Sequence, residues 1–206
     1  MCGRYNIDFD DEEEIRDIIQ QVDRKIQSMG ESSTYSMKLG DVYPTDLAPI
    51  VLGRNKKQEA ELAAWGFPNF NRKGVIINAR AETVTEKPMF RDCMVSRRCI
   101  VPSTGFYEWD EKKRKYFIRR PGTKALYMAG VYSFFQDKLS NFVILTTNAN
   151  ESMQVIHDRM PILLPKEELE DWLFDDAYAK KLLTKTMPEV ELKLQEAAYE
   201  QLSLFD

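Results

Sequence analysis

The chain has 206 residues, 43% of them apolar and 30% charged, with a formal net charge of −4 at pH 7. That length carries one domain with a sizeable core, and no apolar run approaches the ~20 residues of a membrane span. The acidic stretch after residue 7 excludes a secretory signal, and three cysteines without metal-site spacing read as free thiols of a reducing, cytoplasmic compartment. No metal site and no cofactor motif is expected.

The chain opens Met1-Cys2-Gly3-Arg4. Removal of Met1 would leave Cys2 with a thiol and a free α-amine on adjacent carbons, titrating near ~8.5 and ~8 when unperturbed. Such a 1,2-aminothiol condenses with an aldehyde to an imine and then closes a thiazolidine, or it attacks an acyl carbon. The alternative is a small apolar residue at the start of a strand. Asp10 to Met29 reads as a helix, with Ile15, Ile18, Ile19, Val22 and Ile26 on one face, acids in the first turn and Gly30 as the stop. Residues 31–45 are rich in turn formers. A short apolar run, Ala48–Leu52, follows, and then strand-like segments at Ala60–Phe67, Val75–Ala79, Cys99–Val101, Phe106–Trp109, Tyr116–Arg119, Leu126–Phe134 and Phe142–Thr146. Residues 112–115, Lys-Lys-Arg-Lys, form a hairpin tip between two of them. A short helix is expected at Asn150–Ile156, a strand at Ile162–Leu164, and helices at Lys166–Phe174 and Asp176–Leu183. The class is α+β, a mainly antiparallel sheet curled toward a barrel with peripheral helices. The domain is expected to span 1–186, with a tail over 187–206.

Charge is unevenly spread. Residues 72–124 hold 14 basic and 6 acidic side chains, a net +8, whereas residues 1–71 sum to −5 and 151–206 to −7. A basic middle between acidic ends fits a local anion-binding surface, although a solvated strand face produces part of the same pattern.

Four polar pieces interrupt the apolar pattern. Asn78 ends a strand and is followed by Arg80; the amide can hold a ligand or the N-terminus, and Arg80 can grip a phosphate or form a surface ion pair. Glu108 stands between Tyr107 and Trp109. It is either desolvated and raised toward neutral pKa, or turned to solvent by strand alternation. His157, the only histidine, lies in His157-Asp158-Arg159 before a proline turn, where Asp158 could orient it and Arg159 could bind phosphate. The rings of Trp65, Phe67 and Phe70 either stack on unpaired bases or tuck into the core.

Together, Met1-Cys2-Gly3-Arg4-Tyr5, Trp65-Gly66, Asn78-Ala79-Arg80-Ala81-Glu82-Thr83, Met89-Phe90, Cys99-Ile100-Val101-Pro102, Gly105-Phe106-Tyr107-Glu108-Trp109 and His157-Asp158-Arg159-Met160-Pro161 resemble, in order, the motifs of the SOS response-associated peptidase (SRAP) family of abasic-site processing proteins. The resemblance implies binding of single-stranded DNA and covalent trapping of an abasic site by Cys2. Asn78 would hold the N-terminus and the ring, Glu108 would shuttle protons, and His157 would act as general acid/base with some abasic-site lyase activity. Arg4, Arg80 and Arg159 would contact phosphates. It also implies a peptidase role, met by removal of Met1. Two departures stand out. Phe67, Pro68, Asn69 and Phe70 replace the tryptophan pair that follows Trp-Gly in relatives, and no C-terminal strand motif is recognisable in 187–200.

Gln201-Leu202-Ser203-Leu204-Phe205 resembles the pentapeptide by which bacterial repair proteins bind the sliding clamp, its apolar residues filling a partner groove; a terminal strand on the chain's own sheet is the alternative. Two other functions compete. Class II glutamine amidotransferases also begin Met-Cys-Gly and use the cysteine amine as base for its own thiol, but they add an Asn-Gly dipeptide that this chain lacks. A non-catalytic DNA- or clamp-binding module would leave Cys2 inert.

Overall fold

The computed structural model describes residues 2–8, 13–28, 35–135 and 139–195. The first half runs β1 (Tyr5–Ile7), α1 (Glu13–Ser28), β2 (Gly40–Val42), β3 (Leu47–Arg54), β4 (Lys57–Trp65), β5 (Phe67–Pro68), β6 (Val75–Ile76), β7 (Asn78–Arg80) and α2 (Pro88–Ser96). Then come β8 (Arg98–Ser103), β9 (Gly105–Trp109), β10 (Lys115–Arg119), β11 (Leu126–Phe134) and β12 (Ser140–Asn148). The last part is α3 (Glu151–Gln154), β13 (Arg159–Pro161), β14 (Leu163–Leu164), α4 (Leu169–Phe174), α5 (Asp176–Leu182) and β15 (Glu191–Leu194).

Strands β4, β3, β8, β11 and β12 pair in that order, and β12 pairs again with β4, so the sheet closes into a barrel. Closure removes the exposed edges such a sheet would otherwise carry. Strand β12 also pairs with β13 and, in parallel, with β7. A second, antiparallel sheet, ordered β15-β10-β9-β1-β2, lies beside the barrel. The class is therefore α+β with mostly antiparallel pairing, and β12–β4 and β12–β7 are parallel.

Strand β8 is buried along its whole length, which its continuous Cys-Ile-Val-Pro run allows. Its first residue, Arg98, is buried too, and its guanidinium explains how the helices dock. It donates to Met94 O at 2.7 Å, at the end of α2, and to Trp172 O and Leu173 O at 2.7 and 3.2 Å, at the end of α4. These are carbonyls that helix ends leave without intrahelical partners. Asp176, at the start of α5, lies 2.8 Å away and balances the charge. Helix α1 buries Ile15, Ile19 and Val22, and its Glu14 accepts from Tyr127 Oη at 2.8 Å while pairing with Lys166.

Several elements depart from the sequence expectation. Helix α2 was not expected; its signal was Pro88 at the first helical position with Phe90, Cys93 and Met94 at helical spacing. The expected helix at Asn150–Ile156 shortens to α3, capped by Asn150, whose side chain accepts from Met153 N. The expected tail contains β15, which pairs with β10 from Tyr116↔Leu194 to Arg119↔Glu191, and Met187 and Val190 before it are buried. Strand β15 is a mostly exposed edge strand with only Leu192 of its four residues partly buried, so its short Glu-Leu-Lys-Leu alternation marks no buried face. Residues 201–205 lie outside the described residues.

Candidate active site at Cys2

Cys2 is fully buried, just before β1. Strand β1 lies between β2 and β9, with Tyr5 opposite Phe106 and Tyr107 N donating to Arg4 O at 2.9 Å. Continuing that register brings Gly3 opposite Glu108. From the barrel side, Asn78 at the start of β7 donates its Nδ2 to Cys2 O at 2.8 Å. The residue-2 backbone is thus held between the second sheet and the barrel. Among the described residues the buried Asn78 Oδ1 accepts no hydrogen bond.

Glu108 is 4% exposed. It and Phe106 face the barrel, while Tyr107 and Trp109 turn to the other face, the reverse of the solvent-facing alternative. Burial pushes the Cys2 thiol well above its usual range, and the nearby Glu108 carboxylate pushes it further. At neutral pH the thiol therefore keeps its proton.

His157 sits between α3 and β13, about a quarter exposed. Its Nδ1 accepts from Arg159 N at 2.9 Å, which leaves the proton of the neutral ring on Nε2. Asp158 Oδ1 lies 2.8 Å from the same nitrogen, so protonation of Nδ1 would turn that contact into an ion pair.

Three expected nucleic-acid contacts are corrected by burial. Arg159 points inward: it donates to Glu82 at 2.5 and 2.9 Å, Asn148 Oδ1 at 2.8 Å and Thr146 O at 2.7 Å. Its fork locks β13 to β12 and to the turn after β7, and it does not offer itself to phosphate. Trp65 and Phe67 are fully buried. Trp65 donates to Ile77 O at 3.0 Å and packs edge-on against Tyr5, and Phe67 packs against Phe90 and Phe135. Gly66 lets the chain pass between them, because its φ is +121° and a Cβ would meet Val75 at 2.6 Å. Phe70 is 74% exposed, on the turn between β5 and β6, and Arg80 is exposed beside Glu82.

Arg4 lies in a cluster that sequence reading missed. Its guanidinium sits 4.3 Å over the Tyr43 ring and 5.3 Å over Trp109, with Asp41 at 3.8 Å. Lys115 Nζ lies 3.8 Å over Tyr107. Strands β2, β9 and β10 supply these groups, and no local motif joins them.

The fold thus brings together a buried cysteine held by an asparagine amide, a buried carboxylate beside it and a cationic, aromatic face next to it. Residues 1–200 match the family described as SOS response associated peptidase (SRAP), and the chain belongs to it. It is 33% identical over 204 residues to the abasic site processing protein YoqW of Bacillus subtilis, covering 89% of this chain and 86% of that one. It is 27% identical over 188 residues to the abasic site processing protein YedK of Escherichia coli, covering 88% and 83%. Among solved structures, a Bacteroides thetaiotaomicron protein superposes with a TM-score of 0.74 at 26% identity, over 95% of this chain and 92% of that one.

Proposed function

We propose that this protein binds single-stranded DNA and traps abasic sites covalently through Cys2 after Met1 is removed. The observation that carries this reading is the bond from Asn78 to the Cys2 carbonyl with Glu108 buried beside the thiol. The relatives described as abasic site processing proteins support the substrate. The Cys2 amine attacks C1′ of the ring-opened sugar and water leaves, giving an imine. The thiol then adds across the C=N bond and its proton passes to the nitrogen, by way of Glu108, closing the thiazolidine. The raised thiol pKa fits this order, with the amine first and the neutral thiol second. Asn78 Oδ1, buried without a partner, is available to the new amine or to a sugar hydroxyl. His157 serves proton transfer at the sugar, which would give abasic-site lyase activity, and self-removal of Met1 accounts for a peptidase step. Arg4 and Arg80 hold phosphates, and Phe70 is the ring of the Trp65–Phe70 segment that can stack on a base.

The test is direct. Protein with confirmed Cys2 at its terminus, mixed with a single-stranded oligonucleotide carrying one abasic site, should give a shifted band on a denaturing gel, and Cys2→Ala should give none. No shift from the native protein would overturn the reading. The tail Gln201–Phe205 is proposed to bind the replication clamp, which would bring a cytoplasmic protein to the fork. Deleting residues 201–206 should abolish clamp binding and leave crosslinking intact.

A further inference from the structure

The β9–β10 hairpin extends past the Cys2 site. Its strands pair from Phe106↔Ile118 to Trp109↔Lys115, and the turn between them contains Glu111, Lys112, Lys113 and Arg114, all exposed. Asp110 fixes the turn: its carboxylate accepts from Arg114 N at 2.9 Å and from Arg114 Nε at 2.7 Å, and its carbonyl accepts from Lys113 N at 2.9 Å. Asp110 is thereby spent on Arg114. Among the described residues Lys112 and Lys113 have no ion-pair partner, and Glu111 is the other carboxylate on the turn. Lysine 113 also adopts φ +61°, where glycine or asparagine would be easier.

The turn is not isolated from the nucleophile. Behind it come Lys115 over Tyr107, then Arg4 over Tyr43 and Trp109, then Gly3 and Cys2. Cations alternate with rings along this path, the arrangement that tracks a single strand's backbone. The tip begins directly after Trp109, whose ring flanks Arg4, and ends at Lys115, whose ammonium lies over Tyr107.

We propose that Lys112 and Lys113, at the tip of the β9–β10 hairpin, hold backbone phosphates of the DNA strand on one side of the trapped sugar. This rests on the abasic-site reading above. The experiment compares native protein with Lys112→Ala/Lys113→Ala. Affinity for a long single-stranded oligonucleotide is measured across salt concentrations, and crosslinking is measured with an abasic trinucleotide too short to reach the tip. Two further abasic oligonucleotides extend only 5′ or only 3′ of the site. The double variant should lower the slope of log affinity against log salt by about 1.4, the effect of two lost phosphate contacts on a single strand. It should weaken binding several-fold for one of the two extensions, with trinucleotide crosslinking unchanged. An unchanged slope, an equal loss on both extensions, or slowed trinucleotide crosslinking would each overturn the proposal. Failure of the native protein to crosslink any abasic oligonucleotide would instead strike the covalent reading, while the salt slope with intact DNA would still judge the tip.

Discussion

At the scale of single residues, Glu108 has two opposed effects on Cys2. Its charge makes the thiol harder to ionise, and in the proposed chemistry its carboxylate receives the proton that the thiol gives up. Glu108→Gln separates the two. Alkylation of Cys2 by a small haloacetamide, followed by mass, should reach half its limiting rate at lower pH in the variant. Abasic-site crosslinking should slow by about a hundred-fold. Unchanged crosslinking would remove Glu108 from proton transfer. Glu82 offers a pH test of a different kind. Its hydrogen bonds from Arg159 hold its carboxyl below the usual 4.5. A lowered folded pKa gives stability that is complete above pH 4.5 and is lost as pH falls through the folded value. Glu82 is 44% exposed, so water screens the pair and its worth is roughly 1 kcal/mol. Urea midpoints of native protein and Glu82→Gln should differ by a constant amount from pH 7 down to 5, then converge in more acid solution.

Elements show where local pattern was enough and where it was not. Helix α1 was legible because its apolar residues recur at helical spacing against charge. The strands of the barrel were legible from their β-branched runs. Strand β15 was not, because an edge strand is bounded on one side only and its Leu192 and Leu194 sit in a charged run. Its contribution can be measured. Deleting 187–206 removes two buried side chains, Met187 and Val190, each worth about 1.5–3 kcal/mol, and bares the edge of β10. Thermal melting should therefore show a loss of about 3–6 kcal/mol relative to deletion of 201–206 alone. Equal melting of the two truncations would show that β15 adds nothing to the fold. The rings of Trp65 and Phe67 were ambiguous for a related reason: sequence marks them as large and apolar but does not say toward which layer a short strand turns them. Arg159 was misread in the same way, since a guanidinium beside a turn serves a phosphate or a buried carboxylate equally well until Glu82, 77 positions away, is placed.

For the whole molecule, the family and its fold class could be read from motifs kept in order along the chain, whereas the surroundings of the site could not. Tyr43, Asp41 and Lys115 meet Arg4 only because β2, β9 and β10 lie in one sheet. The basic middle of the sequence also proves uneven in space: Arg98 is consumed inside, and Arg91, Arg114 and Arg119 face carboxylates. Cys2 stands where the barrel and the second sheet meet, held by Asn78 from one and by the β1–β9 pairing from the other. A terminal amine on a loose end would have to be immobilised afresh for each encounter, at a cost in entropy that bimolecular reactions carry in full. In the proposed chemistry that immobilisation is a by-product of bringing two sheets together, so folding itself would set the effective concentration of the nucleophile.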